Sequence, residues 1–225
     1  MRIQIASDLH LEWGGGRALS LQHCVDDVDA DVLVLAGDIN RIRDIAKNCA
    51  SWPGPIVYVH GNHDMYGREY YEAIAEARRT FAGTQIHYLE SNEWICGKIR
   101  FLGCCLWTDY AAAGPRGQAL EVAAAHTRDA PMYVDDRGNL VRFSPWDALH
   151  EHQNATRWLE GRLLKPFPGK TVVVTHHAPH SLSLSTKRRP SYSDATYASN
   201  LPRLLRWSDV WIHGHIHKSV DYRYS

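Results

Sequence analysis

The sequence predicts an α/β fold. Three observations carry that expectation. Five short β-branched runs each end at a polar residue or a glycine, helical patterns lie between them, and one hairpin makes part of the sheet antiparallel.

The first run, "RIQIAS" (Arg2–Ser7), stops at Asp8. "DVLVLAG" (Asp31–Gly37) stops at Asp38, and "PIVYVHG" (Pro55–Gly61) stops at Asn62. At about five residues each, these are expected to be buried strands, too short for helices. "REYYEAIAEARRTF" (Arg68–Phe81) places Tyr71, Ile74, Ala75, Arg78 and Phe81 at helical spacing. "EWICGKIRFLGC" (Glu93–Cys104) reads as a hairpin turning at Gly97–Lys98. "PWDALHEHQNATRWLEGRLL" (Pro145–Leu164) opens with a proline suited to a first helical turn and sets Leu149, His152, Trp158 and Leu159 on an approximate stripe. "KTVVVTH" (Lys170–His176) and "SDVWIHG" (Ser208–Gly214) complete the strand set. Two segments fall outside this rhythm: Trp107–Phe143, an insertion or cap over one face, and His180–Ser199, a polar loop containing "STKRRPSYSD".

At 225 residues the chain is expected to be a single domain over 1–225, with the 44% hydrophobic and 22% charged composition of an ordinary soluble protein. Its formal net charge is zero, so no global field favours nucleic acid or an anionic membrane. Asp8 interrupts any secretory h-region, and no apolar run approaches the roughly 18 residues that span a bilayer, so the expected location is cytoplasmic. The five cysteines (Cys24, Cys49, Cys96, Cys104, Cys105) lack metal-finger spacing and are expected to be reduced, with Cys104 and Cys105 in or beside a buried strand. No sequence signal sets the oligomeric state.

Histidine is the compositional outlier, at 14 residues, and its placement matters more than its number. In open α/β sheets, sites collect beyond the carboxyl ends of strands. There this chain delivers Asp8 and His10, Asp38, Asn62, His176, and His215 and His217. Two residues apart in extended backbone, Asp8 and His10 would point to one side, as would His215 and His217. Seven candidate ligands are too many for one tetrahedral ion and suit two ions that share a carboxylate and keep positions open. Imidazole mixed with carboxylate favours Mn or Fe, with Zn next, over Ca. Two divalent ions outweigh the two aspartates, so the centre would attract phosphate even with a bridging hydroxide. Taken singly, "DLH", "AGD" and "GHIH" mean little, and "GNHD" is moderately specific; their order and shared position at strand ends carry the argument.

With these motifs laid out, the chain resembles the calcineurin-like metallophosphoesterase superfamily: "DLH" at Asp8–His10, "GD" at Gly37–Asp38, "GNHD" at Gly61–Asp64, "THH" at Thr175–His177 and "GHIH" at Gly214–His217. The resemblance implies a two-sheet β-sandwich flanked by helices, in four α-β-β-α layers with mixed sheets. It implies one ion held by Asp8, His10, Asp38 and His217. The other would be held by Asp38, Asn62, His176 and His215, with Asp38 bridging and His176 preferred to His177. Relatives usually continue with strands that complete the second sheet, whereas "SVDYRYS" can begin one strand and no more, so the C-terminal sheet is expected to be incomplete.

The expected reaction is hydrolysis of a small or nucleotide-like phosphodiester. A metal-bridging hydroxide would attack phosphorus in line, with Asn62 and the ions stabilising the equatorial oxygens. His63 follows ligand Asn62 and can face substrate, so it is assigned as general acid, and Asp64 as the group that orients it. His213 is expected to play a supporting or packing role, His60 to line the pocket, and His150 and His152 to be exposed. His23, His87 and His126 carry no argument. Lys187, Arg188 and Arg189 read as a solvated loop run. The alternatives are a phosphomonoesterase, a nuclease, which the lack of basic surplus disfavours, and a metal-binding scaffold without catalysis.

Overall fold

The computed structural model of the chain describes residues 1–13, 21, 25, 29–126, 132–184 and 189–224, and the backbone alone of His126. Cys24, His23, Lys187 and Arg188 lie outside the described residues. Two four-stranded sheets carry the architecture. The first contains β1 (Ile3–Ala6), β2 (Val32–Ala36), β3 (Ile56–Val59) and β4 (Ile86–Tyr88), all parallel and in that order. α1 (Ile45–Asn48) and α2 (Tyr70–Phe81) are its crossover helices. The second sheet contains β5 (Asn92–Cys96) and β6 (Ile99–Cys104), joined as the expected hairpin through residues 97–98.

Beyond it come α3 (Arg116–His126), a separate hairpin of β7 (Tyr133–Asp136) and β8 (Asn139–Arg142), and α4 (Pro145–Leu163). β9 (Lys170–Thr175), the short α5 (Pro202–Arg206) and β10 (Val210–Ile212) follow. β9 pairs parallel to both β6 and β10, so the second sheet runs β10-β9-β6-β5 and is mixed.

The period-two pattern of β2 explains the layering. Val32, Val34 and Ala36 point between the sheets, where they meet Val57, Val59, Phe101, Val172, Val174 and Ile212. Leu33 and Leu35 point the other way, onto Ile45, Tyr70, Ile74, Ala77 and Phe81. On the outer face of the second sheet Leu102, Cys104 and Val173 pack against Ala155, Leu159 and Leu163 of α4 and Leu204 of α5. Helices therefore cover both outer faces, which gives the four-layer α-β-β-α order. Each fully buried aliphatic side chain contributes about 1.5–3 kcal/mol. α4 begins sharply because Ser144 and Asp147 form a reciprocal capping box with Pro145 at its first turn.

Several expectations need correction. The buried stripe of α2 is Tyr70, Ala73, Ile74, Ala77 and Phe81, while Tyr71 is exposed. Tyr70 takes the inner position because its hydroxyl accepts from the Trp107 indole and its ring meets Phe143. His152 is buried on α4 and within 3.0 Å of the Leu106 carbonyl, not exposed. β1 and β10, the outer strands of their sheets, are only partly buried, with Ile5 and Val210 exposed. The tail after His217 forms no strand. It folds back, with the Tyr222 hydroxyl 2.9 Å from Ser183 and the Tyr224 ring beside His180 and Arg206. Segment 107–143 holds α3 and the β7–β8 hairpin, and segment 180–199 contains two short turns of 3-10 helix, Ser181–Leu184 and Asp194–Thr196.

Candidate metal centre

Every strand that faces the site stops where its motif begins. β1 ends at Ala6, two residues before Asp8; β2 at Ala36, two before Asp38; β9 at Thr175, next to His176. Asp8, His10, Asp38, His215 and His217 then adopt left-handed backbone, with φ of 56°, 46°, 54°, 69° and 48°. This corrects the extended geometry expected for the two D-x-H and H-x-H pairs. The pairs still converge, but through left-handed turns rather than strand alternation. Such conformations cost of order 1 kcal/mol each outside glycine and cluster at functional sites.

The turns are interlocked. The His215 amide donates to both Asp8 carboxylate oxygens at 3.0 and 3.1 Å, which ties the last motif to the first. Gly37 and Gly61 are required by close approach. A Cβ at Gly37 would run into the His176 imidazole, and one at Gly61 into the Asp38 carboxylate.

Two groups of donors that share no residue result, besides a third, His10, Asp38 and His63, that overlaps them. Asp8, His10 and His217 form one, with His217 Nε2 3.4 Å from Asp8 Oδ1 and 3.2 Å from His10 Nε2. Asp38, His176 and His215 form the other, with His176 Nε2 3.2 Å from Asp38 Oδ2 and 3.1 Å from His215 Nδ1. Asp38 Oδ2 also lies 3.9 Å from His10 Nε2, between the groups. Asn62 Oδ1 adds a neutral oxygen 3.2 Å from His176 Nε2. Imidazole nitrogens this close repel unless a proton or a cation lies between them. Ligands about 2.1 Å from a shared ion stand roughly 3.0–3.4 Å apart. The donor set fits first-row divalent metal ions.

The electrostatics agree. Asp38 is buried, which opposes its charge, yet the surrounding imidazoles of His176, His215 and His63 hold its carboxyl well below the usual range. Burial alone would lower His176, but Asp38 and Asp8 raise it to about 9. His215, desolvated and beside His176, falls to about 3. A buried group of imidazoles competing over one carboxylate is a site short of positive charge.

The sequence profile of calcineurin-like phosphoesterases matches residues 1–219. The chain belongs to that family. It is a metal-dependent phosphoester hydrolase. Among solved structures, the phosphopantetheinyl hydrolase PptH from Mycobacterium tuberculosis is similar at a TM-score of 0.65 and 17% identity, over 98% of this chain and 85% of that one, a likeness of fold. No curated protein sequence matches the chain significantly. Among the described residues, no helix of this phosphoesterase is long and apolar enough to cross a membrane.

All seven sequence-predicted ligands lie together, and His63 lies beside them, its ring 4.5 Å from that of His10. Asp64 does not take its expected place. Its carboxylate accepts from the Asp38, Ile39, Asn40 and Gly61 amides and from the Tyr58 hydroxyl, all within 2.8–3.2 Å. It clamps the turn after β2 to the turn after β3 and is not hydrogen-bonded to His63. The Asn62 amide nitrogen donates one hydrogen to the Tyr66 hydroxyl at 2.8 Å, and its oxygen faces the His176 imidazole. His60 is fully buried against Tyr88, Tyr70 and Glu90 and does not line the cleft. His213 has the supporting position expected of it, 2.9 Å from Ser183. His177 turns to the Cys105 carbonyl at 3.3 Å, away from Asp38.

Sequence reasoning missed Glu12 and Trp13, in the 3-10 turn Leu11–Trp13 after β1. Glu12 Oε1 lies 3.1 Å from His10 Nδ1 and 3.7 Å from His63 Nδ1. Trp13, exposed, stacks on His10 at 4.6 Å and meets the His63 ring edge-on at 5.1 Å. The available signal was a carboxylate two residues beyond "DLH". A cavity of about 800 Å³ opens from Asp38, Asn62, His63, His215 and His217 toward α3 and the β7–β8 hairpin.

Proposed function

We propose that this phosphoesterase is a dinuclear hydrolase acting on phosphodiesters, with His63 as general acid. One observation supports the dinuclear reading above the others: the buried Asp38 carboxylate belongs to the triad with His176 and His215 and also faces His10 of the triad with Asp8 and His217. Asp8, His10, Asp38 and His217 would hold one ion, and Asp38, Asn62, His176 and His215 the other. Bound there, Mn or Fe (or Zn) would activate water near neutral pH and offset charge on the phosphate oxygens.

The chain's own residues supply the rest. His63 lines the cleft next to Asn62, with its Nδ1 toward Glu12 and its Nε2 left to donate a proton to the departing oxygen. Glu12 fixes that tautomer and holds His10 through the same carboxylate. The cleft extends past the donor groups to Trp107, Met132, Phe143 and Trp146, which leaves room for the second organic group of a diester. Residues 107–143 act as a cap over the cleft within one domain spanning 1–225. The four described cysteines are unpaired thiols, three of them buried, which suits a cytoplasmic location.

The test is hydrolysis of bis(p-nitrophenyl) phosphate and p-nitrophenyl phosphate by manganese-loaded protein, with metal content measured per chain. Two ions and a diester preference abolished by chelator are expected. One ion, or a preference for the monoester, overturns the corresponding part of the reading. Two ions without activity on either ester would indicate a metal-binding scaffold.

A further inference from the structure

The cleft contains a cation that the metal-centred chemistry does not use. Arg142 closes β8 and lines the same cavity as Asn62, His63 and His217, yet belongs to neither ligand triad. It is exposed, and among the described residues no carboxylate pairs with it. The wall beside it is apolar: Met132 and Phe143 flank the hairpin, and Phe143 packs against Trp107 with ring centroids 4.9 Å apart. Trp146, half exposed, adds an unstacked indole face.

These features describe a two-part recognition surface. Ions held by the two donor groups would draw the scissile phosphate. An aromatic and aliphatic wall accommodates an apolar body. A planar guanidinium without a carboxylate partner among the described residues offers paired N–H donors whose complement is a carboxylate or phosphate oxygen pair. Resting on the phosphoesterase reading above, we propose that the cleft selects phosphoesters whose apolar or aromatic organic part carries a second anionic group, and that Arg142 binds that group. Phosphate and carboxylate share the required chemistry.

Non-hydrolysable aryl phosphonates separate these sources and read binding rather than turnover. Phenylphosphonate carries no second anion, 4-carboxyphenylphosphonate carries a carboxylate, and 1,4-phenylenebis(phosphonate) carries a second phosphonate. Calorimetric titration of manganese-loaded protein should show at least about tenfold tighter binding of one or both bifunctional compounds than of phenylphosphonate. In Arg142→Ala that ratio should collapse toward one, and Arg142→Lys should restore part of it. A loss of general packing would weaken all three compounds together and leave the ratio intact. Equal affinities in the wild-type protein, or a ratio unchanged in Arg142→Ala, overturns the assignment. Failure of phenylphosphonate itself to bind overturns instead the metal-centred reading beneath it.

Discussion

Oε1 of Glu12 lies 3.7 Å from Nδ1 of His63, and no other described group hydrogen-bonds that nitrogen. Catalytic hydrogen bonds are often long before substrate arrives, and a small rotation closes this one. Glu12→Ala should therefore act through His63. We expect kcat to fall about tenfold to a hundredfold for alkyl leaving groups that need a proton, and little for p-nitrophenolate. His63→Ala should show the same leaving-group selectivity, more severely, and the double variant should be no worse than His63→Ala. Equal losses on all leaving groups would contradict the pairing.

Asp64 yields a different signature. Its carboxylate accepts four amides and one hydroxyl, so Asp64→Ala strands several buried donors at once. A loss of about 3 kcal/mol or more in unfolding free energy is expected, measured by denaturant titration. Activity should fall for every leaving group together with metal affinity, since both turns that present ligands are released. Selective loss for poor leaving groups would return Asp64 to the role of orienting His63.

Glu90 governs a pH effect remote from catalysis. It is buried, which raises its carboxyl from about 4.5 to about 8 despite the Cys105 amide that donates to it. Between those values the unfolded chain loses the proton and the folded chain retains it. Its contribution is full below pH 4.5 and drains away as pH rises to 8. In chelated protein, the stability difference between wild type and Glu90→Gln should therefore shift progressively in favour of the variant across that interval. A difference that is constant with pH would refute the buried-acid account.

Removing bound metal should also lower thermal stability. Five candidate ligands hold left-handed backbone, and His176, His215 and Asp38 crowd together. Ions that bind only the folded state stabilise it by mass action. Scanning calorimetry should find a lower Tm after chelation, recovered by manganese. An unchanged Tm would mean that the protein alone offsets this strain.

The strand ends were legible because β-branched runs and abrupt polar stops share one cause: a strand packed on both faces must leave the core where a ligand is needed. Asp38 and His176 follow that rule, whereas Asp8 follows a strand buried only in part. The route by which Asp8 and His10 converge was not legible, since spacing alone does not distinguish an extended pair from two left-handed residues. Asp64 was misread because proximity in "GNHD" says nothing about the four amides of neighbouring turns that take its carboxylate. Tyr70 displaced Tyr71 on α2 because a partner from a distant loop, Trp107, decided which tyrosine turned inward. β4 and the β7–β8 hairpin escaped notice for a simpler reason. β4 has three residues, and β8 is exposed throughout, so neither presents the apolar run that marks a strand.

The contact between Asp8 and His215 joins residues 207 apart in sequence. During synthesis the ligands from the first strand emerge long before their partners and can hold an ion only incompletely. Tight uptake must then wait until His215 and its neighbours have left the ribosome. Firm retention of metal would thus follow synthesis of both motifs, and chains stopped before His215 would be marked by their inability to retain it.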